Sequence, residues 1–334
     1  MGRRLVKTGV ANSIKPFTAA TTAEEVASVF QEQIRGKNVL ITGTSINGIG
    51  FETARAIAKY ANLVIITGYN TERLKLSEEA IKKEIPGANV RPLILDLTSL
   101  AAIRKAAAEV NAYPEPLHVL INNAASGGGK YKLTVDNLED QMATDHIGPF
   151  LLTKLLVPKL VAAGTTGYTP RVVYVASDAH KFGQGIDLDT VARGDPENFG
   201  AFPRYFEAKS ANILSAIELS KRSQGRINGY SLHPGAIFTN IQQKEETKAD
   251  FVQFGFLNPD GSPNTDKFPW KTIPQGAATT IAAAFNPELD ATPGAYLVDC
   301  VEANAERAPH SSDAGTAAKL WTITEGIIGE EFTL

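Results

Sequence analysis

The chain has one cysteine in 334 residues, two methionines, two tryptophans and almost no surplus of charge, the formal net value being −3. Cys300 has no partner for an internal disulfide, which points to a reducing compartment, and the cytoplasm is the expected location. The near balance of acids and bases leaves no electrostatic case for a nucleic-acid partner. No apolar run approaches the ~20 residues of a membrane span, so none is expected. The histidines, His118, His146, His180, His233 and His310, stand at no metal-ligand spacing, so no metal site is expected and structural roles are. No repeat, low-complexity tract or linker argues for a second domain. The N-terminus carries Arg3, Arg4, Lys7 and Lys15 with no acid before Glu24, but it lacks the apolar core of a secretory signal. Val6 stands where a myristoylation motif wants Ser or Thr. A transit peptide or a surface extension remains, and the extension is expected.

What is present is an alternation. Thr22 and Glu25 form a capping box before Val26, Val29, Phe30 and Ile34, so a short helix precedes the first strand. Strand-like apolar runs then recur at 39–41, 63–66, 93–95, 119–121, 172–175, 227–232 and 296–298. Helical stretches lie between them at about 49–60, 72–85, 100–110, 138–160, 204–223 and 275–285. Unbroken apolar strands alternating with helices imply parallel β-α-β units covered on both faces. The expectation is an α/β fold with a doubly wound, seven-stranded parallel sheet and a ligand at the C-terminal strand ends. Two connections, 181–203 and 236–273, are long enough to bind something or to act as lids. The second holds Phe251, Phe254, Phe256, Phe268 and Trp270, either a lid with a small core of its own or an apolar wall for a substrate.

The first strand runs into Thr42-Gly43, a polar turn, and Gly48-Ile49-Gly50 at the start of a helical pattern. Missing side chains admit a ligand to the backbone, and free N–H groups at a helix start favour an anion such as a nucleotide phosphate. Asp96 follows the third strand, where it either meets a ligand or caps its turn. Asn122-Asn123-Ala124-Ala125 follows the fourth, where tandem amides tie loops or face a cofactor. Ser177 ends the fifth. Tyr205 and Lys209, four apart on a helix, share one face. An ammonium beside a phenol favours the phenolate, and such a pair exchanges a proton with an oxygen held nearby.

Taken in order, these features resemble the short-chain dehydrogenase/reductase family over about 36–323. Arg171-Val-Val-Tyr-Val-Ala-Ser-Asp-Ala-His180, His233-Pro234-Gly235 with Thr239-Asn240, and Gly294-Ala-Tyr-Leu-Val-Asp-Cys300 with Leu320-Trp321 look like its retinol-dehydrogenase-like branch and fungal relatives. The resemblance implies one Rossmann-type domain, 36–334, after an extension, 1–35, with the short helix. It implies that Thr42, Gly43, Ser45, Asn47, Gly48, Ile49 and Gly50 cradle a pyrophosphate. Asp96 and Leu97 would meet the adenine, and Asn122, Asn123 and Ala124 would hold cofactor and sheet. Pro234, Gly235 and Thr239 would line the nicotinamide end. Ser177 would bond the substrate carbonyl, Tyr205 would be the acid/base, and Lys209 would hold the ribose and lower the tyrosine pKa. The implied activity is NAD(P)(H)-dependent interconversion of a carbonyl and an alcohol. Relatives often pair through the helices at 138–160 and 204–223, which implies a homodimer or homotetramer.

The sequence departs from the family pattern in three places. Four residues, Thr44-Ser45-Ile46-Asn47, replace the usual three in the glycine turn, so the loop should bulge. Ala125 replaces a glycine. Asp145, in Asp145-His146-Ile147-Gly148, replaces the family's catalytic asparagine. An ionised aspartate accepts but cannot donate. It can serve a proton relay through its backbone carbonyl but not through an amide, and the expectation is that activity is kept. At the second strand's end, Thr67-Gly68-Tyr69-Asn70 carries no acid for a ribose 2′-hydroxyl, and Arg73 follows one turn later. The missing acid favours NADP(H) over NAD(H). The alternatives are an NAD-linked alcohol dehydrogenase and a nucleotide-binding sensor with little turnover.

Overall fold

The computed structural model describes residues 16–334, so Arg3, Arg4, Lys7 and Lys15 lie outside the described residues. The strands are β1 (Asn38–Ile41), β2 (Leu63–Gly68), β3 (Val90–Ile94), β4 (Val119–Asn122), β5 (Arg171–Val175), β6 (Asn228–His233), β7 (Ala236–Ile237), β8 (Trp270–Lys271), β9 (Tyr296–Val298) and β10 (Val301–Glu302). The helices are α1 (Ala23–Val29), α2 (Gln31–Ile34), α3 (Ile49–Ala58), α4 (Thr71–Glu84), α5 (Leu100–Ala112), α6 (Asp140–Met142), α7 (Gly148–Ala162), α8 (Ala201–Ser223), α9 (Asn240–Gln243), α10 (Glu245–Gln253), α11 (Ile273–Phe285) and α12 (Ala314–Ile328).

The main sheet runs β10-β9-β6-β5-β4-β1-β2-β3, parallel except for β10. Strand side chains alternate between two cores, as the pleat requires. Leu40, Leu120 and Val172 face α5, α7, α8 and α12, whereas Val39, Ile41, Ile121 and Val173 face α1, α3 and α11. Residues 17–34, read from sequence as an extension, contribute Ala23, Val26, Ala27, Phe30 and Ile34 to the second core. The Thr22–Glu25 capping box forms, the Thr22 N–H donating to Glu25 Oε2 at 2.8 Å.

Four elements differ from the sequence expectation, the first being α12, since no helix was expected after 275–285. An eighth, antiparallel strand adds to the seven, because Asp299 and Cys300 both adopt positive φ (49° and 70°) and make the two-residue hairpin from β9 to β10. The helix expected over 138–160 is interrupted by a π-helical turn at Ala143–Ile147 between α6 and α7. Pro149 has no N–H to return to the Asp145 carbonyl four residues earlier, and that carbonyl accepts Asn212 Nδ2 instead. The 236–273 connection is structured: β7 pairs with β8, and α9 and α10 lie between them.

Candidate active site

The β1–α3 turn is shaped by close approaches. Gly43 has φ +71°, and a Cβ there would lie 2.8 Å from Ala124 Cα, so no other residue fits. The Asn123 amide donates to the Thr42 and Gly43 carbonyls at 2.8 and 3.0 Å, and the Asn123 and Ala124 N–H groups donate to Thr42 Oγ1, both at 2.9 Å. Asn123 thus ties the ends of β1 and β4 together rather than projecting at a ligand. A Cβ on Gly50 would collide with that amide and the Gly43 carbonyl, so Gly50 serves packing. The extra loop residue is absorbed at Asn47, with φ 64°, in a turn closed by Gly48 N–H to the Ser45 carbonyl at 3.1 Å. The expected bulge projects toward the 236–273 segment, where Asn240 Nδ2 donates to the Ile46 carbonyl at 2.7 Å. Gly48 N-caps α3 without a side chain, so the first-turn N–H groups keep their capacity for an anion.

From this turn a cleft of about 560 Å³ runs along the C-terminal strand ends. Gly43, Ser45, Gly48, Ile49, Tyr69, Asn70, Arg73, Asp96, Leu97, Asn123, Ala124, Tyr205, Lys209, Pro234 and Thr239 all line it. Asn47, Gly50, Gly235, Ser177 and Asp145 are not among the lining residues. Gly235, φ +103°, instead lets the Lys271 stem cross, a Cβ there meeting Lys271 Cδ at 2.6 Å. Asp96 caps its own turn, accepting from Thr98 N–H at 2.9 Å and Thr98 Oγ1 at 2.6 Å. Asn70 caps α4, accepting from Arg73 N–H at 2.9 Å. Tyr69 is 67% exposed at the rim. The lining also includes Lys132, Asn240 and Lys244, which sequence reasoning missed. A glycine turn with free helix N–H groups at one end and a buried ammonium at the other suits a nucleotide cofactor lying along the cleft.

Tyr205 and Lys209 reach that far end from α8. Arg204 fixes the first turns of the helix. Its Nε lies 3.0 Å from Glu139 Oε2, Nη1 bonds Glu207 at 2.7 Å, and Nη2 donates to the Thr190 and Val191 carbonyls at 3.1 and 2.7 Å. Lys209, buried, lies 3.0 Å from Asp145 Oδ2 and donates to the Val175 carbonyl at 3.2 Å. Asp145, also buried, accepts Ser126 N–H on Oδ1 at 2.6 Å, and Asn212 Nδ2 donates to its backbone carbonyl at 2.7 Å. Oδ2 has the ion pair but no aligned hydrogen bond. Asn212 lies seven residues after Tyr205, on the same helix face, a spacing that signals it. The Tyr205 ring packs 3.2 Å from where a Cβ on Gly127 would stand. Ser177 Oγ accepts from Ala179 N–H at 3.1 Å and hydrogen-bonds the Tyr205 phenol.

Burial pushes the Asp145 carboxyl up to about 6, against the pull of Lys209. Burial is the largest cause and works to lower the Lys209 ammonium, but Asp145 and Tyr205 together outweigh it and the net direction is up. For Tyr205 the sequence expectation was a lowered value, and the net direction is upward. Burial is the largest cause; Lys209 and the Ser177 bond pull down, and the Asp145 carboxylate pushes back up.

The 236–273 segment covers this end. Asp250 Oδ2 accepts Gly129 N–H at 2.7 Å, and Thr247 packs on Gly128. Its aromatics form a small core in which Phe202 stacks on Phe256 at 5.6 Å and Phe256 on Phe268 at 4.5 Å. Phe254 and Phe182 remain half-exposed. The histidines are structural: His180 Nδ1 lies 2.7 Å from the Ser177 carbonyl, His146 Nε2 2.9 Å from Thr324 Oγ1, His233 Nδ1 accepts Asp178 N–H at 3.0 Å, His118 Nδ1 accepts Asn38 N–H at 3.0 Å, and His310 Nε2 lies 2.8 Å from the His180 carbonyl. Among the described residues no group of His, Cys, Asp and Glu could hold a metal, and no helix is long and apolar enough to cross a membrane.

The family model for short chain dehydrogenase matches residues 37–186. The chain is 35% identical over 316 residues to the short-chain dehydrogenase TIC 32 B, chloroplastic, of Brassica napus, covering 92% of this chain and 93% of that one. It is 33% identical over 305 residues to the short-chain dehydrogenase/reductase prx1 of Penicillium rubens, covering 88% and 85%. The crystal structure of an uncharacterized Mycobacterium Paratuberculosis protein superposes with a TM-score of 0.67 at 28% identity, covering 91% and 98%. Sequence likeness over nearly the whole length, a mostly parallel sheet and a glycine turn opening on a dinucleotide-sized cleft converge: the chain belongs to the short-chain dehydrogenase/reductase family, a family of NAD(P)-dependent oxidoreductases.

Proposed function

We propose that this chain interconverts a carbonyl and an alcohol with NADP(H), using Tyr205 as the proton donor or acceptor. The observation that carries the reading is that Tyr205 and Lys209 line the same cleft as the glycine turn. The bound nicotinamide supplies or accepts a hydride. Lys209 holds the nicotinamide ribose at the base of the cleft, and Ser177 bonds the substrate oxygen beside the Tyr205 hydroxyl. The proton then passes directly between the Tyr205 hydroxyl and the substrate oxygen. NADP(H) is favoured because Gly68 places no acid at the end of β2 and because Arg73, with no ion pair among the described residues, lines the cleft there. The insertions at 181–203 and 236–273 of a domain spanning 36–334 cover the substrate, and the aromatic content of the second suits a bulky, apolar one. The buried Cys300 thiol, pushed up to about 12 by burial, fits a reducing compartment such as the cytoplasm. Pairing through α7 and α8, implied by the family resemblance, must accommodate α12, which already packs on α8.

The test is nucleotide oxidation with NADPH and NADH side by side, against retinoid, aromatic and aliphatic carbonyls, on the intact chain and on Tyr205→Phe. The expected result is turnover with NADPH that falls by about 10²–10⁴ in the variant while nucleotide binding is kept. Tight binding without turnover on any substrate would favour the sensor reading, for which Asp145 in place of asparagine and the longer glycine loop are the features in favour.

A further inference from the structure

In this site the ammonium that would stabilise a phenolate already has a carboxylate against it. Lys209 Nζ lies 3.0 Å from Asp145 Oδ2, and both side chains are almost wholly out of contact with solvent. Asp145 is held at three points: Ser126 N–H bonds carboxylate Oδ1, Asn212 anchors the backbone carbonyl, and the π turn carries the residue inward. We propose that Asp145 is a positioning residue that opposes the Lys209 charge and holds the Tyr205 hydroxyl in its protonated form to higher pH than Lys209 alone would allow. The inference rests on the oxidoreductase reading above and adds the group that sets the ionisation of its acid/base.

The chemistry follows from which form of Tyr205 is present. In reduction the carbonyl carbon gains the hydride that the cofactor supplies, the carbonyl oxygen gains the Tyr205 proton, and Tyr205 regains a proton from water. In oxidation the alcohol oxygen must first give its proton to a phenolate. A free tyrosine ionises near pH 10, and an unopposed ammonium would bring that down. Here Lys209 and the Ser177 bond act to lower it, burial and the Asp145 carboxylate act to raise it, and the raising side prevails. The charged groups around the pair are few: Lys209 and Tyr205 on α8, Asp145 on the π turn, and Glu139 at the start of α6, whose charge also opposes ionisation of Asp145. Asp145 therefore shifts a proton equilibrium without touching substrate or cofactor.

The measurement is the ionisation of Tyr205 itself, followed by NMR of chain labelled at the tyrosine Cζ, with the Tyr205 resonance assigned by its loss in Tyr205→Phe. In the intact chain the midpoint is expected above that of a free tyrosine, or not reached before unfolding; a midpoint at or below that of a free tyrosine overturns the proposal. In Asp145→Asn, which keeps the shape and removes the charge, the midpoint is expected to fall by at least one pH unit, a tenfold gain in phenolate at a given pH; an unmoved midpoint overturns it. Should that variant not fold, the intact-chain titration still decides. No substrate is needed, so absence of turnover would defeat the oxidoreductase reading without deciding the titration. Where turnover is found, the alkaline limb of its pH profile moves down by the same unit in Asp145→Asn, whichever direction of the reaction is followed.

Discussion

Two buried ion pairs join the segment before α7 to α8, five residues apart along that helix, and they are built differently. In the first, Arg204 spends its planar fork on Glu139, Glu207 and two backbone carbonyls, and Glu139 also accepts N–H bonds from Gln141 and Met142 at 3.0 and 2.9 Å. Donors and acceptors are matched, and nothing is left for a ligand. In the second, Lys209 makes one ion pair and one carbonyl bond, and Asp145 Oδ2 has the ion pair alone. An ammonium carries three rotatable donors rather than a fixed fork, so the pair keeps a donor available toward the cleft that Lys209 lines. The saturated pair places the helix, and the unsaturated one keeps capacity for chemistry next to Tyr205.

The largest expected effect breaks the second pair. Lys209→Met should lower turnover by about 10²–10⁴, with a stability loss that depends on pH. A raised carboxyl such as Asp145 contributes stability that is fully present below its unfolded value near 4 and is lost as pH rises through its folded value of about 6. Without the ammonium, burial acts on Asp145 unopposed, and the loss continues to higher pH. Thermal unfolding of the variant and the intact chain should therefore nearly coincide at pH 5 and separate steadily toward pH 8. A separation that does not change with pH would mean that Asp145 carries no titrating charge.

Breaking the first pair should act on stability. Arg204→Met leaves the buried Glu139 carboxylate without its cation, a change worth about 3–5 kcal/mol in comparable settings. The Gln141 and Met142 N–H groups still serve Glu139, which places the loss toward the lower end. Chemical denaturation at a fixed pH reads it. A loss below about 1 kcal/mol would show that the saturated pair is not what places α8.

Much of this contrast was open to sequence reasoning only in part. The alternation of strands and helices was legible because unbroken apolar runs separated by helical stretches leave few other folds, and Tyr205 and Lys209 were legible because four residues is about one helical turn. The capping box at Thr22–Glu25 was local and could be read directly. The Glu139–Arg204 pair was not, since 65 residues separate its partners and nothing local signals long-range pairing. The π turn was missed, although Pro149, one turn after Asp145, lacks the N–H that would return to the Asp145 carbonyl. The β9–β10 hairpin was missed because its turn is Asp299-Cys300 rather than a pair rich in glycine or asparagine. Asp96 and Asn123 were given to the cofactor by resemblance, while their side-chain bonds go to Thr98 and to the Thr42 and Gly43 carbonyls.

The smallest expected effect separates charge from position at Asp145. Asn212 Nδ2 donates to the Asp145 backbone carbonyl at 2.7 Å, filling the place that the Pro149 N–H would have taken, and it does not touch the carboxylate. Asn212→Ala leaves that carbonyl without this partner and should cost about 1–2 kcal/mol in denaturant unfolding. The ion pair to Lys209 and the Ser126 bond remain, so the Tyr205 ionisation midpoint should stay within a few tenths of a pH unit of the intact chain. If it falls as far as in Asp145→Asn, backbone placement of the π turn governs Tyr205 and the carboxylate charge does not. If it holds while Asp145→Asn moves it, the charge alone separates this pair from the saturated one five residues earlier.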